Sequence, residues 1–298
     1  MNTKFKATII RNAIKVDTRL RWLGKTAKHI AVRKSSIETA HGLIRLRIYQ
    51  PPGEGPFPVV VYYHGGGWVI GDLVVYDPMC RDLCNRSDCI VVAVNYRLAP
   101  EHPFPAAPED CLAALKWTYD HIALYGGLPN AIAVAGDSAG GNLAAVTALQ
   151  ARECMPGIVK GQVLIYPATD HYDPGTPSYV ENAKGPVLTR ALMVWFWDTY
   201  LKNSAVLDAE QTRHPRATPL IRTDLDNLPP TLLLTAGRDP LRDDGANYAA
   251  RLEQYDNEVQ YSLYAESCHG FVGLQGPKPD HNKAMGEIST WLAKLFNA

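Results

Sequence analysis

Six short apolar runs, FPVVVYYHG, CIVVAVNY, AIAVAG, QVLIYPAT, TLLLTAG and VQYSLYA, are separated by segments long enough to hold helices. Near-continuous aliphatic strands joined by helical crossovers suit a mostly parallel sheet covered on both faces, so this spacing constrains the fold more than any other feature. Upstream, GLIRLRIYQP alternates Ile44, Leu46 and Ile48 with Arg45, Arg47 and Tyr49. It reads as a half-buried strand antiparallel to the stretch around IAVRKSSIE. Helical patterns follow in PEDCLAALKWTYDHI, NLAAVTALQAR and DDGANYAARLEQYDN, and in the final repeat of Ile288, Trp291, Leu292, Leu295 and Phe296. The expected class is therefore α/β, with 298 residues and 46% hydrophobic residues supplying one large core.

Residues 171–225 break the rhythm. They offer no convincing strand but contain LTRALMVWFWDTYL, apolar nearly all round, which is expected to bury itself against something other than the sheet. The charge is also uneven. Thirty basic and thirty acidic residues cancel overall, yet residues 1–34 hold ten Lys/Arg against Asp17 alone, leaving +9 there and −9 elsewhere. The expected reading is a polar helix docked on an acidic body, with Ile9, Ile10, Ile14, Trp22 and Leu23 forming its apolar side; a membrane-surface helix or transit peptide is the sharper alternative. A zero total charge argues against a nucleic-acid partner. Without a secretory apolar region or a spanning segment, the expected location is the cytoplasm, with no stable membrane association. Six cysteines lack the density of a disulfide scaffold, and Cys80 and Cys84, one turn apart, lack the further ligands of a metal site.

Gly136-Asp137-Ser138-Ala139-Gly140 fits G-x-S-x-G and stands between an expected strand and an expected helix. Such a turn lifts a serine hydroxyl above the sheet edge. The plain alternative is a serine capping a helix. A serine nucleophile needs a base and an acid that orients it. Asp239 follows the strand TLLLTAG and His269 follows VQYSLYAESC, so the order Ser, Asp, His is complete; Asp243, one helical turn beyond Asp239, is the rival acid. After the strand VVVYY come His64, Gly65, Gly66 and Gly67, where missing side chains let N–H groups face a developing oxyanion, and Ala139 at the following helix start adds another donor. A phosphate cradle is disfavoured because no Walker lysine or G-x-G-x-x-G is present.

The motifs HGGGWVIGD, NYRLAPEHPFPAAPED, GDSAGGN, GPVLTRALMVWFWDTYL, DPLRDDG and CHGF, spread over about residues 60–271, resemble the hormone-sensitive lipase family of carboxylesterases, in its bacterial-type branch with Asp beside the serine. The resemblance implies an eight-stranded α/β-hydrolase core at 46–170 and 226–298, capped by residues 1–45 and by an insertion at 171–225. It favours Asp239 over Asp243, and Gly66 and Gly67 over Gly65. It implies hydrolysis of a small-molecule ester through an acyl-enzyme, without cofactor or metal. A peptidase or amidase of the same fold and a non-catalytic small-molecule receptor are the alternatives. Trp68, Trp195, Phe196, Trp197 and Tyr200 are candidates to line the substrate pocket, with short-to-medium acyl chains expected. VQYSLYA, if an edge strand, is a candidate seam for a homodimer.

Overall fold

A computed structural model describes residues 3–173, 175–204, 206–208 and 211–297. Its sheet has eight strands: β1 (Ala31–Thr39), β2 (Gly42–Gln50), β3 (Phe57–Tyr63), β4 (Ile90–Asn95), β5 (Gly127–Asp137), β6 (Val159–Ile165), β7 (Thr231–Arg238) and β8 (Val259–Cys268). The spatial order is β1-β2-β4-β3-β5-β6-β7-β8. β1 and β4 each pair antiparallel with β2, and every pairing from β4 to β8 is parallel. The antiparallel hairpin and the six parallel runs read from the sequence are thus the strands of the sheet. β8 is its far edge, where Tyr261 and Leu263 are exposed.

Pleating divides the apolar runs between two cores. Val59, Val61 and Tyr63 of β3 join one, with α3 (Ala106–His121), α4 (Ala139–Cys154) and α7 (Arg242–Gln254). Val60 and Tyr62 join the other, with α2 (Asp77–Ser87) and α8 (Pro279–Asn297). α2 had no sequence signal singled out; it carries Cys80 and Cys84, which are buried in that second core as ordinary apolar residues.

Above the strand ends lie α1 (Thr3–Arg21), the short α5 (Pro177–Glu181) and α6 (Arg190–Leu201). Thr189 caps α6 by accepting from the Leu192 N–H, and Met193, Phe196, Trp197 and Tyr200 are its buried side. α6 packs on loops rather than on strands. Tyr200 stacks on Trp68 at 4.4 Å between ring centroids, Trp197 lies 4.4 Å from the same ring, and the Phe104 N–H donates to the Tyr200 carbonyl at 2.9 Å. The outer ring, Trp195, sits beneath the ammonium of Lys6 at 4.3 Å, joining α6 to α1.

α1 is docked, in part through the residues expected. The Arg11 guanidinium donates to the Val69 and Ala99 carbonyls and pairs with Glu101, and the Trp22 indole donates to the Gly273 carbonyl. Ala7 and Thr18 are buried, Ile10 and Ile14 pack partly, and Trp22 is buried. Ile9, expected on the docking side, faces outward because the buried side is centred on Ala7 and Thr18, and Leu23, also expected there, is exposed in the turn after the helix.

The Tyr200 hydroxyl is buried with no hydrogen-bond partner among the described residues. Removing an unpaired hydroxyl relieves a desolvation cost, whereas removing the ring leaves a cavity. Tyr200→Phe should therefore leave the urea midpoint unchanged or higher, and Tyr200→Ala should lower stability by about 3–5 kcal/mol.

Candidate active site

Ser138, Asp239 and His269 each stand immediately after a strand, at the ends of β5, β7 and β8. In a parallel sheet those carboxyl ends share one rim, so residues far apart in the chain converge there. The Ser138 backbone is held at φ 56°, ψ −121°, outside the regions that ordinary residues populate. The turn is made tight by its glycines. A Cβ on Gly140 would lie 2.0 Å from the Tyr63 carbonyl oxygen, and one on Gly136 would lie 2.2 Å from the Gly140 oxygen. No larger residue fits either place without moving backbone.

Although Ser138 occupies the position before α4, its side chain makes no capping bond. Its Oγ lies 3.0 Å from His269 Nε2, and His269 Nδ1 lies 2.6 Å from Asp239 Oδ2. An ionised carboxylate only accepts, which places the imidazole proton on Nδ1 and leaves Nε2 to accept from the serine hydroxyl. The second Asp239 oxygen is fixed by the Leu241 N–H at 2.9 Å. All three side chains are nearly enclosed, with Ser138 8% and His269 5% exposed. Asp243 is directed elsewhere. It accepts from the Ser178 N–H at the start of α5 and pairs with Arg242, which holds its carboxyl below the ordinary range despite partial burial.

The glycine loop after β3 requires one correction. Gly65 was expected to aim its N–H at an oxyanion with its neighbours, but it donates to Asp137 Oδ1 at 2.8 Å. The N–H groups of Gly66, Gly67 and Ala139 have no acceptor in the hydrogen-bond network of the described residues. Asp137 also accepts from the hydroxyls of Tyr62 at 2.7 Å and Tyr76 at 2.9 Å. It therefore ties the serine turn to the glycine loop, a role the motif did not disclose and for which Tyr76 carried no sequence signal. His64 is fully enclosed, and burial pushes its imidazole down to about 4 against the Gly65 carbonyl 2.8 Å away. Stacked on Tyr96 at 4.3 Å, it is a neutral wall for the loop.

The aromatic candidates separate. Phe196 lies on Gly67, where an added Cβ would come 2.2 Å from its ring. Trp68, Trp197 and Tyr200 form the buried stack beneath α6, and Trp195 lies outside under Lys6. Only Phe196 of the five is placed against the glycine loop by the contacts of α6.

Burial raises the Asp137 carboxyl to about 6, while its three donors pull it down. Because the folded value lies above the ordinary 3.8, the folded state binds the extra proton, and the group's contribution is largest below about pH 4 and lost as pH rises through about 6. Unfolding measured from pH 4 to 7 should show wild type losing up to about 3 kcal/mol relative to Asp137→Asn, a decline the variant lacks.

A family model described as the alpha/beta hydrolase fold matches residues 60–273. The chain is 42% identical over 252 residues to the carboxylic ester hydrolase LipN of Mycobacterium tuberculosis, covering 83% of this chain and 65% of that protein. It is 43% identical over 256 residues to the carboxylesterase NlhH of the same species, covering 86% and 79%. The solved esterase of Pyrobaculum calidifontis superposes with a TM-score of 0.92 at 38% identity, covering 99% of this chain and 95% of that one. With its strand order, its serine turn and these matches in agreement, the chain belongs to the hormone-sensitive lipase family of carboxylesterases within the alpha/beta hydrolase fold.

Proposed function

We propose that the protein is a serine carboxylesterase acting on small, dissolved esters. The observation that carries the reading is the line from Ser138 Oγ through His269 to Asp239, at 3.0 and 2.6 Å. The Ser138 oxygen attacks the ester carbonyl as His269 Nε2 takes its proton, and the tetrahedral oxyanion is received by the N–H groups of Gly66, Gly67 and Ala139. His269 then returns the proton to the departing alcohol oxygen. In the second half a water molecule loses a proton to His269 and attacks the acyl carbon, releasing acid and restoring Ser138. Every proton transfer uses the same imidazole. A receptor role is disfavoured by a histidine in hydrogen-bond reach of the serine, and nothing in the site favours an amide over an ester.

Among the described residues, no helix is long and apolar enough to cross a membrane. Cytoplasmic residence is supported by six free cysteines, four of them buried.

Ser138→Ala should fold with an unchanged melting curve and hydrolyse p-nitrophenyl butyrate at under a few per cent of the wild-type rate; retained activity would remove Ser138 from the chemistry. Asp239→Asn should lower kcat by about ten-thousandfold through the wrong imidazole tautomer, whereas Asp243→Asn should cost less than about tenfold. The opposite ranking would move the orienting role to Asp243.

Acyl length follows from the enclosure of Ser138 and the Phe196 ring against Gly67. Across p-nitrophenyl esters from acetate to palmitate, kcat/KM should peak at about four to eight acyl carbons, each fitted methylene adding at most ~0.8 kcal/mol. A rate still climbing at palmitate would refute a bounded acyl site.

A further inference from the structure

The outer face of α1 is not what its charge suggests. Phe5, Ile9, Val16 and Leu20 are 59%, 49%, 62% and 66% exposed. Their spacings of four, seven and four residues place them within about 60° of one another around the helix. The stripe lies opposite buried Ala7 and Thr18, and Leu23, exposed just beyond the helix, extends it. α1 itself holds Lys4, Lys6, Arg11, Lys15, Arg19 and Arg21 against Asp17. A helix that is docked on one side and carries a narrow apolar stripe among cations on the other has the pattern of an interfacial helix.

Beside the stripe, Val16 enters the wall of a cleft of about 670 Å³ between α1, the β1–β2 hairpin and α2. Lys15, Arg19, Lys34, Arg47 and Arg81 line it, with Asp77 as the single acid. Asp77 is already engaged by Arg47 and Arg81, and Lys15 is paired with Asp72. Arg19 and Lys34 have no carboxylate partner among the described residues, so the cleft keeps an unneutralised positive charge next to exposed apolar side chains. A second copy of this chain is a poor occupant, because facing stripes would bring two cationic helices together. An anionic phospholipid surface satisfies both halves: acyl-chain boundary for the stripe and headgroup phosphate for the cleft.

We propose that the outer face of α1, with the adjoining cationic cleft, is a reversible docking surface for anionic phospholipid bilayers. This replaces the docking role expected of Ile9 and Leu23, leaves that of Ile10, Ile14 and Trp22 in place, and stands apart from the ester chemistry.

The test is co-sedimentation of the full chain with vesicles of phosphatidylcholine alone or mixed with phosphatidylglycerol. Wild type should sediment with the mixed vesicles, fail to sediment with the neutral ones, and be released by salt. The triple variant Ile9→Gln, Val16→Gln, Leu20→Gln should bind the mixed vesicles about tenfold more weakly while hydrolysing dissolved p-nitrophenyl butyrate at the wild-type rate, which shows that it is folded. Arg19→Gln with Lys34→Gln should weaken binding and flatten its salt dependence. Absence of binding to the mixed vesicles, or binding untouched by the triple variant, overturns the proposal. Complete displacement by inorganic phosphate with no effect of the triple variant would assign the cleft to free phosphate and also overturn it. A fall in oligomeric state of the triple variant by light scattering, without vesicle binding, would give the stripe to a second copy and overturn it as well.

Discussion

The backbone of Ser138, held at φ 56°, is the constraint around which the rest is arranged. A conformation that costs on the order of 1–3 kcal/mol persists only when its surroundings dictate it. Here they do. β5 and α4 are each fixed by their own core contacts, and the Ser138 N–H donates to the Ile165 carbonyl at 2.8 Å. The neighbouring glycines let Tyr63 and the start of α4 approach until no side chain fits between them. The parallel sheet is thus the device that lifts one hydroxyl above its rim, and the order of strands decides that β7 and β8 bring an acid and an imidazole to the same side.

Asp137 makes the second connection. A buried carboxylate is costly, and its rise to about 6 records that cost despite three donors. By accepting from Gly65, Tyr62 and Tyr76 it holds the glycine loop in register with the serine turn, so the two are parts of one hydrogen-bonded unit. The loop's other side is formed by the aromatic stack under α6, whose hydroxyl and indole groups include several without hydrogen-bond partners among the described residues; packing holds that layer.

Much of this was legible in the sequence for identifiable reasons. Strands of a parallel sheet are apolar on both faces, so their runs stand out. Turn chemistry at Gly136–Gly140 is local, and the positions of Asp239 and His269 just beyond strands follow from the strands themselves. What could not be read depends on distant partners. Gly65 loses its N–H to a carboxylate 72 residues away, and α1 takes its orientation from Arg11 reaching Val69, Ala99 and Glu101, which periodicity alone does not reveal. The same limit applied to Trp68, Trp197 and Tyr200, whose size suggested a pocket and whose mutual stacking fills a core.

The separation of the three rim residues along the chain has a temporal consequence. Ser138 and His269 are 131 positions apart, and His269 follows the last strand of the sheet. While the chain is being synthesised, the serine has neither acid nor base for more than a hundred further residues, and its hydroxyl stays an ordinary alcohol. On the proposed serine mechanism, reactivity requires β8 in place at the sheet edge, so a chain that stops short of β8 would not consume ester.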